Sequence, residues 1–305
     1  MKKKIFIIGI GGLTGSKLVE IAKKDFEIFG SYNYRDPKSA IQKNTKLDIS
    51  NSTKIKEILE EIKPDVVINT AGINNVDYCE KNPDEALKIN IQAVKEICQI
   101  TKKLGIKFVQ LSSDSVFDGT KQLPYEETDE PESINYYGKT KLESEKIVLE
   151  NPNNVVVRAS VLYGYLPHNL AKIESSSKKS INFGQWLINK LSINEKVRII
   201  TDEYSSPIIA DDFARSILHI IKYEGNGIFH SAPELQITRY DFSVKIAKAL
   251  GLSVKLIEPV SNKELGRDVN TGSNKCLSSK KLSGNLNYKF LTLDESLDLL
   301  KTQFR

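Results

Sequence analysis

The chain has 305 residues, of which 40% are hydrophobic and 27% charged, with a net charge of +5. That is ordinary for a soluble globular protein and long enough for one large domain or two modest ones around a substantial core. Most of the basic residues are lysines scattered along the sequence, with no dense basic block interleaved with aromatics, which argues against a nucleic-acid partner. No stretch approaches the ~18 apolar residues of a membrane span.

The three cysteines, Cys79, Cys98 and Cys276, are odd in number and form no Cys-x-x-Cys pair, so a reduced, cytoplasmic location is expected. His168, His219 and His230 lack the i, i+4 spacing of a zinc helix, and no metal site is expected. The opening "MKKKIFIIGIGGLTG" superficially resembles a signal peptide, but its glycines interrupt the apolar run, and it reads as a buried strand.

In chain order, "KIFIIG" predicts a strand, "SKLVEIAKK" a helix and "EIFGSY" a second strand. "TKIKEILEEIK" predicts a helix with Ser50 or Ser52 as its N-cap. "DVVINTA" is a strand, and "PDEALKINIQAVKEICQITKKLG" one long amphipathic helix stopping at Gly105. "KFVQLSS" is a strand, "YGKTKLESEKIVLE" a helix and "NVVVRAS" another strand. Short, near-continuous apolar strands alternating with helices predict an α/β fold, a doubly wound parallel sheet of the Rossmann kind.

Beyond about residue 160 the regularity breaks. "HNLAKIESSSKKS" (168–180) is a polar loop, read either as a lid or as a surface insert. "FGQWLINKL", "ADDFARSILHIIKYEG", "RYDFSVKIAKALG" and "TLDESLDLLKTQF" predict helices. The expected domains are a dinucleotide-binding domain over 1–160 plus 208–224, and a smaller mixed C-terminal substrate lobe over 161–207 and 225–305.

Three stretches carry chemistry. "GIGGLTG" joins the first strand to the first helix, where Gly9 makes the tight turn, Gly12 lets the backbone approach a pyrophosphate and Gly15 lets the helix pack on the sheet. Leu13 and Thr14 belong to the same cofactor-binding loop. After the second strand comes "SYNYRDPKS", where Asn33 and Arg35 without an acid at the strand tip favour the 2′-phosphate of NADP(H). Asp36 is close enough to keep NAD(H) as the alternative. In "LSSDSVFDG", Ser113 puts a hydroxyl at the C-terminal end of a strand, facing the crevice. Tyr137 and Lys141 in "NYYGKTK" share a helix face. Tyr34 and Lys38 match the same spacing, but Pro37 between them argues against a helix.

With "GIGGLTG", "NTAG", "LSSDSVFDG", "YYGKTKLESEK" and "VVRASVLYG" in this order, the chain resembles the extended short-chain dehydrogenase/reductases. Within them it is most similar to dTDP-4-dehydrorhamnose reductases and to the related regulatory subunit of S-adenosylmethionine synthetase. The resemblance implies that Ser113 orients a substrate carbonyl, Tyr137 donates the proton, and Lys141 binds the nicotinamide ribose and lowers the tyrosine pKa. It places Asp48 and Ile49 near the adenine and Thr70, Ala71 and Gly72 along the cofactor. It implies a nucleotide-sugar substrate, with Asn74, Asp114, Ser115, Val161 and Asn274 in its binding site. Homodimers are common in this superfamily, though no segment here marks an interface.

Three positions depart from the sugar reductases. Ser115 stands where a tyrosine is usual, Val161 where a tryptophan packs on the sugar, and Thr271-Gly272 where an Arg-Pro precedes the asparagine matched by Asn274. An aromatic platform and a bidentate phosphate partner are thereby lost. Two readings stand: an NADPH-dependent reductase of a 4-keto deoxysugar nucleotide, or an NADP-binding regulatory subunit of S-adenosylmethionine synthetase without turnover.

Overall fold

The computed structural model describes residues 2–38, 41–173, 175, 178, 181–266, 269 and 271–304. Its frame is seven parallel strands: β1 (Lys4–Ile8), β2 (Glu27–Tyr32), β3 (Lys43–Lys46), β4 (Val66–Asn69), β5 (Lys107–Ser113), β6 (Val155–Ala159) and, after four short strands, β11 (Gly227–Ser231). The short strands are β7 (Leu162–Tyr163), β8 (Val197–Ile200), β9 (Tyr204–Ser205) and β10 (Ile208–Ile209), followed beyond β11 by β12 (Ile237–Thr238), β13 (Ile257–Val260) and β14 (Asn274–Lys275). The main sheet runs β11-β6-β5-β4-β1-β2-β3, so the doubly wound Rossmann order of the sequence reading is present.

Successive side chains of a strand point to opposite faces, so both faces of β1 must be covered. Ile5 and Ile7 pack on one side with Leu18 of α1 (Leu13–Ala22) and with Phe213 and Ile217 of α9 (Ala210–Lys222). Phe6 and Ile8 pack on the other with Ile55 and Leu59 of α2 (Ser52–Ile62) and Ile97 of α5 (Ala93–Leu104). A third core belongs to the C-terminal half. It joins Leu187 of α8 (Phe183–Ser192), Phe242 of α10 (Arg239–Leu250), Ile199 of β8 and Leu300 of α13 (Leu293–Gln303).

Four sequence expectations need correction. Residues 227–231, placed above in the substrate lobe, form β11 and pair in parallel with β6, so this segment completes the main sheet. β3 was not foreseen because "KNTK" has no apolar alternation, as suits a strand paired on one side only. The N-cap of α2 is Asn51, whose side chain accepts from Lys54 N at 3.0 Å, while Ser50 Oγ donates to Asp48 Oδ1 at 2.8 Å. The single helix expected over 83–105 is α4 (Pro83–Leu87), a π turn at Lys88–Gln92 and then α5, with Gly105 capping in the left-handed region.

Two packing features fix the centre of the molecule. First, α6 (Tyr136–Leu149) abuts the turn after β5 so closely that a Cβ on Gly138 would lie 1.9 Å from the Ser115 carbonyl oxygen and 2.1 Å from Ser133 Oγ. Second, Arg158 of β6 is buried in a two-pronged pair with Glu145 of α6, with Nη2 to Oε2 at 2.6 Å and Nε to Oε1 at 3.0 Å. Arg158 Nη1 also meets His230 Nε2 of β11 at 3.3 Å, and His230 Nδ1 lies 3.0 Å from the Tyr125 carbonyl. Burial, and then the Arg158 charge, push the His230 pKa down to about 3.

A Gly138→Ala substitution is expected to cost about 2 kcal/mol or more in urea unfolding, because a backbone carbonyl is the clashing group. Gly284→Ala, whose Cβ would meet nothing within 4 Å, should be neutral or stabilising by about 0.5 kcal/mol. His230 supplies a pH test. Its folded pKa lies below the unfolded value of about 6.5, so only the unfolded chain takes up a proton as pH falls through that value. Stability should therefore be full above about pH 6.5 and decline below it by up to about 1.4 kcal/mol per pH unit, and His230→Gln should flatten the slope between about pH 7 and 5. Equal slopes in the two proteins would contradict this.

Candidate active site

Strand order reverses between β4 and β1, and in an open parallel sheet the crevice beyond the strand ends at that point takes ligands. A cleft of about 850 Å³ lies there. Its floor is the turn from β1 to α1. Gly9 has φ 94°, and a Cβ on it would sit 2.7 Å from Thr70 Oγ1. Gly11, which the sequence reading passed over, is tighter still, since a Cβ would lie 2.0 Å from the Arg35 carbonyl oxygen. Gly12 is the N-cap of α1 and has no side chain to satisfy the first-turn N–H groups, and no acid occupies that turn. Together with Leu13 and Thr14, which also line the cleft, this bare helix N-terminus fits an anionic pyrophosphate. Gly15 does not line the cleft. A Cβ there would meet Gly9 O at 2.2 Å, so its role is close packing of helix on turn.

Asn33 and Arg35 line the cleft beside the end of β2. Arg35 is buried, and its Nε donates to the Ile173 carbonyl at 3.0 Å and its Nη2 to the Ala171 carbonyl at 3.5 Å. It thus holds the polar insert, which opens with α7 (His168–Ala171). Asp36 is also engaged, accepting from Lys38 N at 2.8 Å and Asn44 Nδ2 at 3.1 Å. Lys38 follows Pro37 in the left-handed region, and no helix joins Tyr34 to Lys38. The insert reaches the opposite rim too, where Asn75 Nδ2 donates to the Lys178 carbonyl at 2.9 Å. Residues 174, 176, 177, 179 and 180 of the expected lid lie outside the described residues. Asp48 and Ile49 line a smaller adjoining cavity of about 90 Å³ with Asn33 and Ala71.

Thr70, Ala71 and Gly72 follow β4 along the cleft. Asn90, inside the π turn, clamps this loop: Oδ1 accepts from Ile73 N and Nδ2 donates to Ile73 O, both at 2.9 Å, and Nδ2 reaches Thr140 Oγ1 of α6 at 3.0 Å. A π turn beside a site is a common device for aiming one residue. The signal in the sequence was an asparagine within an otherwise apolar helix stripe.

Ser113, Tyr137 and Lys141 come together in the same cleft. Ser113 ends β5, and its Oγ donates to Asp114 Oδ1 at 3.0 Å. Tyr137 and Lys141 sit on one face of α6, whose N-cap Asn135 accepts from Gly138 N at 2.9 Å. Burial raises the Tyr137 pKa well above the usual phenol range, and a hydrogen bond from Ser113 works against that rise. Burial therefore outweighs the lowering of the tyrosine pKa that was expected from Lys141. Burial brings Lys141 down to about 8 despite the raising effect of Glu145, and its Nζ donates to the Leu111 carbonyl at 2.5 Å. Tyr136 packs in the cluster of Ile73, Cys79 and Tyr137.

At the far end the cleft is lined by Asn74, Asp114, Ser115 and Val161. Asn274 is not among its walls. Its Nδ2 donates to the carbonyls of Lys121 at 2.7 Å and Gln122 at 3.0 Å, and its Oδ1 accepts from Cys276 N at 3.1 Å, so the carboxamide is committed to the backbone. The next residue, Lys275, does line the cleft, as do Phe183, Glu203 and Arg239. Arg239 lies over the Phe183 ring at 4.8 Å and donates to Glu203 Oε1 at 2.8 Å. The sequence held no local cue for these four, which meet only through tertiary packing. Among the described residues no group of three or more His, Cys, Asp or Glu could hold a metal, and no helix is long and apolar enough to cross a membrane.

Comparison with known proteins agrees with this fold. The sequence matches the RmlD substrate binding domain family over residues 3–304. A probable low-salt glycan biosynthesis reductase of Haloferax volcanii is 31% identical, with 98% of this chain and 97% of that protein covered. The methionine adenosyltransferase 2 subunit beta of Bos taurus is 28% identical over 85% of this chain and 76% of that one. The crystal structure of dTDP-4-dehydrorhamnose reductase from Bacillus anthracis, a complex with NADP, superposes with a TM-score of 0.86 at 26% identity, covering 99% of this chain and 100% of that chain. The chain belongs to the RmlD substrate binding domain family and is an NAD(P)H-dependent oxidoreductase of the short-chain dehydrogenase/reductase type.

Proposed function

We propose that the protein reduces the 4-keto group of a deoxysugar nucleotide, with dTDP-4-dehydrorhamnose as substrate and dTDP-rhamnose as product. The observation that carries this reading is the convergence of Ser113, Tyr137 and Lys141 on a cleft floored by the bare N-terminus of α1. Gly9, Gly12, Leu13 and Thr14 would hold the pyrophosphate of NADPH, Asp48 and Ile49 the adenine side, and Lys141 the nicotinamide ribose. Arg35 would meet the 2′-phosphate by exchanging at least one carbonyl of the insert for it. Phe183, Arg239 and Lys275 stand at the end of the cleft where Val161 offers no aromatic platform, and the two cationic side chains suit a nucleoside diphosphate.

The dihydronicotinamide supplies the hydride. Tyr137 holds its phenolic proton through neutral pH because burial raises its pKa, and it gives that proton to the carbonyl oxygen as negative charge develops there. Ser113 fixes the direction of the phenol, and the Lys141 ammonium stabilises the phenolate left behind. The alternative, a regulatory subunit of S-adenosylmethionine synthetase, draws on the similarity to the adenosyltransferase beta subunit. The retention of all three chemical residues in one cleft favours turnover.

Purified protein should oxidise NADPH on addition of dTDP-4-dehydrorhamnose, and Tyr137→Phe should lower kcat by about a hundredfold or more while NADPH still binds. A stable complex with the synthetase and no turnover would favour the alternative. The rate should also fall as pH rises through about 8, where Lys141 loses its charge. A profile flat to about pH 9.5 would contradict that role for Lys141.

A further inference from the structure

We propose that Arg239 is the residue that holds the diphosphate of the substrate, in place of the arginine that is missing at Thr271. The inference deepens the reductase reading above and rests on it for the class of substrate.

Arg239 opens α10 directly after β12 and is tied to Glu203 at two points. Its backbone N donates to the Glu203 carbonyl at 3.1 Å, and its Nη2 donates to Glu203 Oε1 at 2.8 Å. The carboxylate is itself fixed, because Glu203 Oε2 accepts from Thr271 Oγ1 at 2.9 Å. The guanidinium lies over the Phe183 ring, which packs in turn against Trp186 and Phe242 with centroids 5.8 and 6.3 Å away. A long side chain that would otherwise lose rotamer freedom on binding is thus ordered beforehand.

The donors left over decide its role. A guanidinium carries five N–H donors in a planar fork. Among the described residues only Nη2 has a hydrogen-bond partner, and the side chain stays 17% exposed in the wall of the cleft. The remaining donors match the oxygens of a phosphate. Lys275, the other cation of this wall, is buried and its ammonium already donates to the Phe117 carbonyl. It adds positive charge, whereas Arg239 offers donors in fixed positions. Ser205, two residues beyond Glu203, is an independent sign of a ligand. It lines the cleft and is buried, yet its hydroxyl has no hydrogen-bond partner. A phosphate oxygen would supply one.

The relocation has a backbone cause. Gly272 has φ 76°, and a Cβ there would lie 2.3 Å from the Asp118 carbonyl oxygen. Proline cannot adopt that conformation, so the Arg-Pro of the sugar reductases cannot follow this path. Thr271 instead steadies the carboxylate that aims Arg239.

The test reads binding and turnover separately. By calorimetry with NADPH present, the wild type should bind dTDP more tightly than dTMP. Arg239→Gln should weaken dTDP about tenfold or more and erase most of that preference, while NADPH affinity changes less than about twofold. Arg239→Lys, which keeps the charge without the planar fork, should stay at least about threefold weaker than wild type. With dTDP-4-dehydrorhamnose, Arg239→Gln should raise KM about tenfold and lower kcat less than about threefold, as for an interaction made equally in ground and transition states. Because Arg239→Gln strands the Glu203 carboxylate, the double variant with Glu203→Gln is measured beside it and should show the same losses. An unchanged preference for dTDP in these variants, or a loss of NADPH affinity equal to that of dTDP, would overturn the inference. A wild type that reduces the sugar yet binds dTDP no better than dTMP would overturn it too. A wild type that binds dTDP through Arg239 but reduces no keto-sugar nucleotide would overturn the reductase reading alone.

Discussion

The cleft depends on how closely α6 can approach the turn that follows β5. At Gly138 the helix comes so near the Ser115 carbonyl that no side chain fits. This contact brings Tyr137 and Lys141, one residue before and three after, beside the end of the strand that carries Ser113. Capping reinforces it, since Asn135 holds Gly138 N and Ser133 Oγ donates to the Ser115 carbonyl at 2.8 Å. The Asn90 clamp then ties the loop after β4 to the same helix through Thr140. Two strand ends and one helix are locked into a single unit, as a site that must place reacting atoms within fractions of an ångström requires.

Burial, more than pairwise attraction, sets the chemistry. It raises Tyr137 and Asp114 and lowers Lys141 and Lys275, so each group is pushed toward its neutral form. Hydrogen bonds and opposite charges then decide which of them stay charged. Behind them the buried Arg158–Glu145 pair, held by His230, anchors α6 to β6 and β11. Such a pair contributes little net stability over an apolar substitute, but removing either partner strands a buried charge.

The sheet and its first helix were legible because their signals are local. Apolar runs such as "KIFIIG", the glycines at 9, 12 and 15, and the Tyr137–Lys141 spacing all lie within a few residues of what they determine. Misplaced features depend on contacts far along the chain. β11 is a sheet strand because it pairs with β6, and β3 because it pairs with β2. Asn274 was matched to substrate by position in a motif, yet its carboxamide is held by the 121–122 backbone while its neighbour Lys275 faces the cleft. Arg35 stands where the sequence put it, but its carbonyl partners at 171 and 173 belong to an insert whose path no spacing rule describes. Gly11 and the Asn90 turn escaped notice because only the third dimension shows what a Cβ would strike or what a buried amide must satisfy.

The central claim is that this cleft moves a hydride and does not merely hold a dinucleotide. The most direct measurement is isotopic. The protein is incubated with NADPH carrying deuterium at the dihydronicotinamide carbon, together with dTDP-4-dehydrorhamnose, and the sugar nucleotide is weighed by mass spectrometry. The account predicts a product carrying one deuterium at the reduced carbon. A sugar that stays unreduced while NADPH remains bound, or a product labelled only from deuterated solvent, would contradict it.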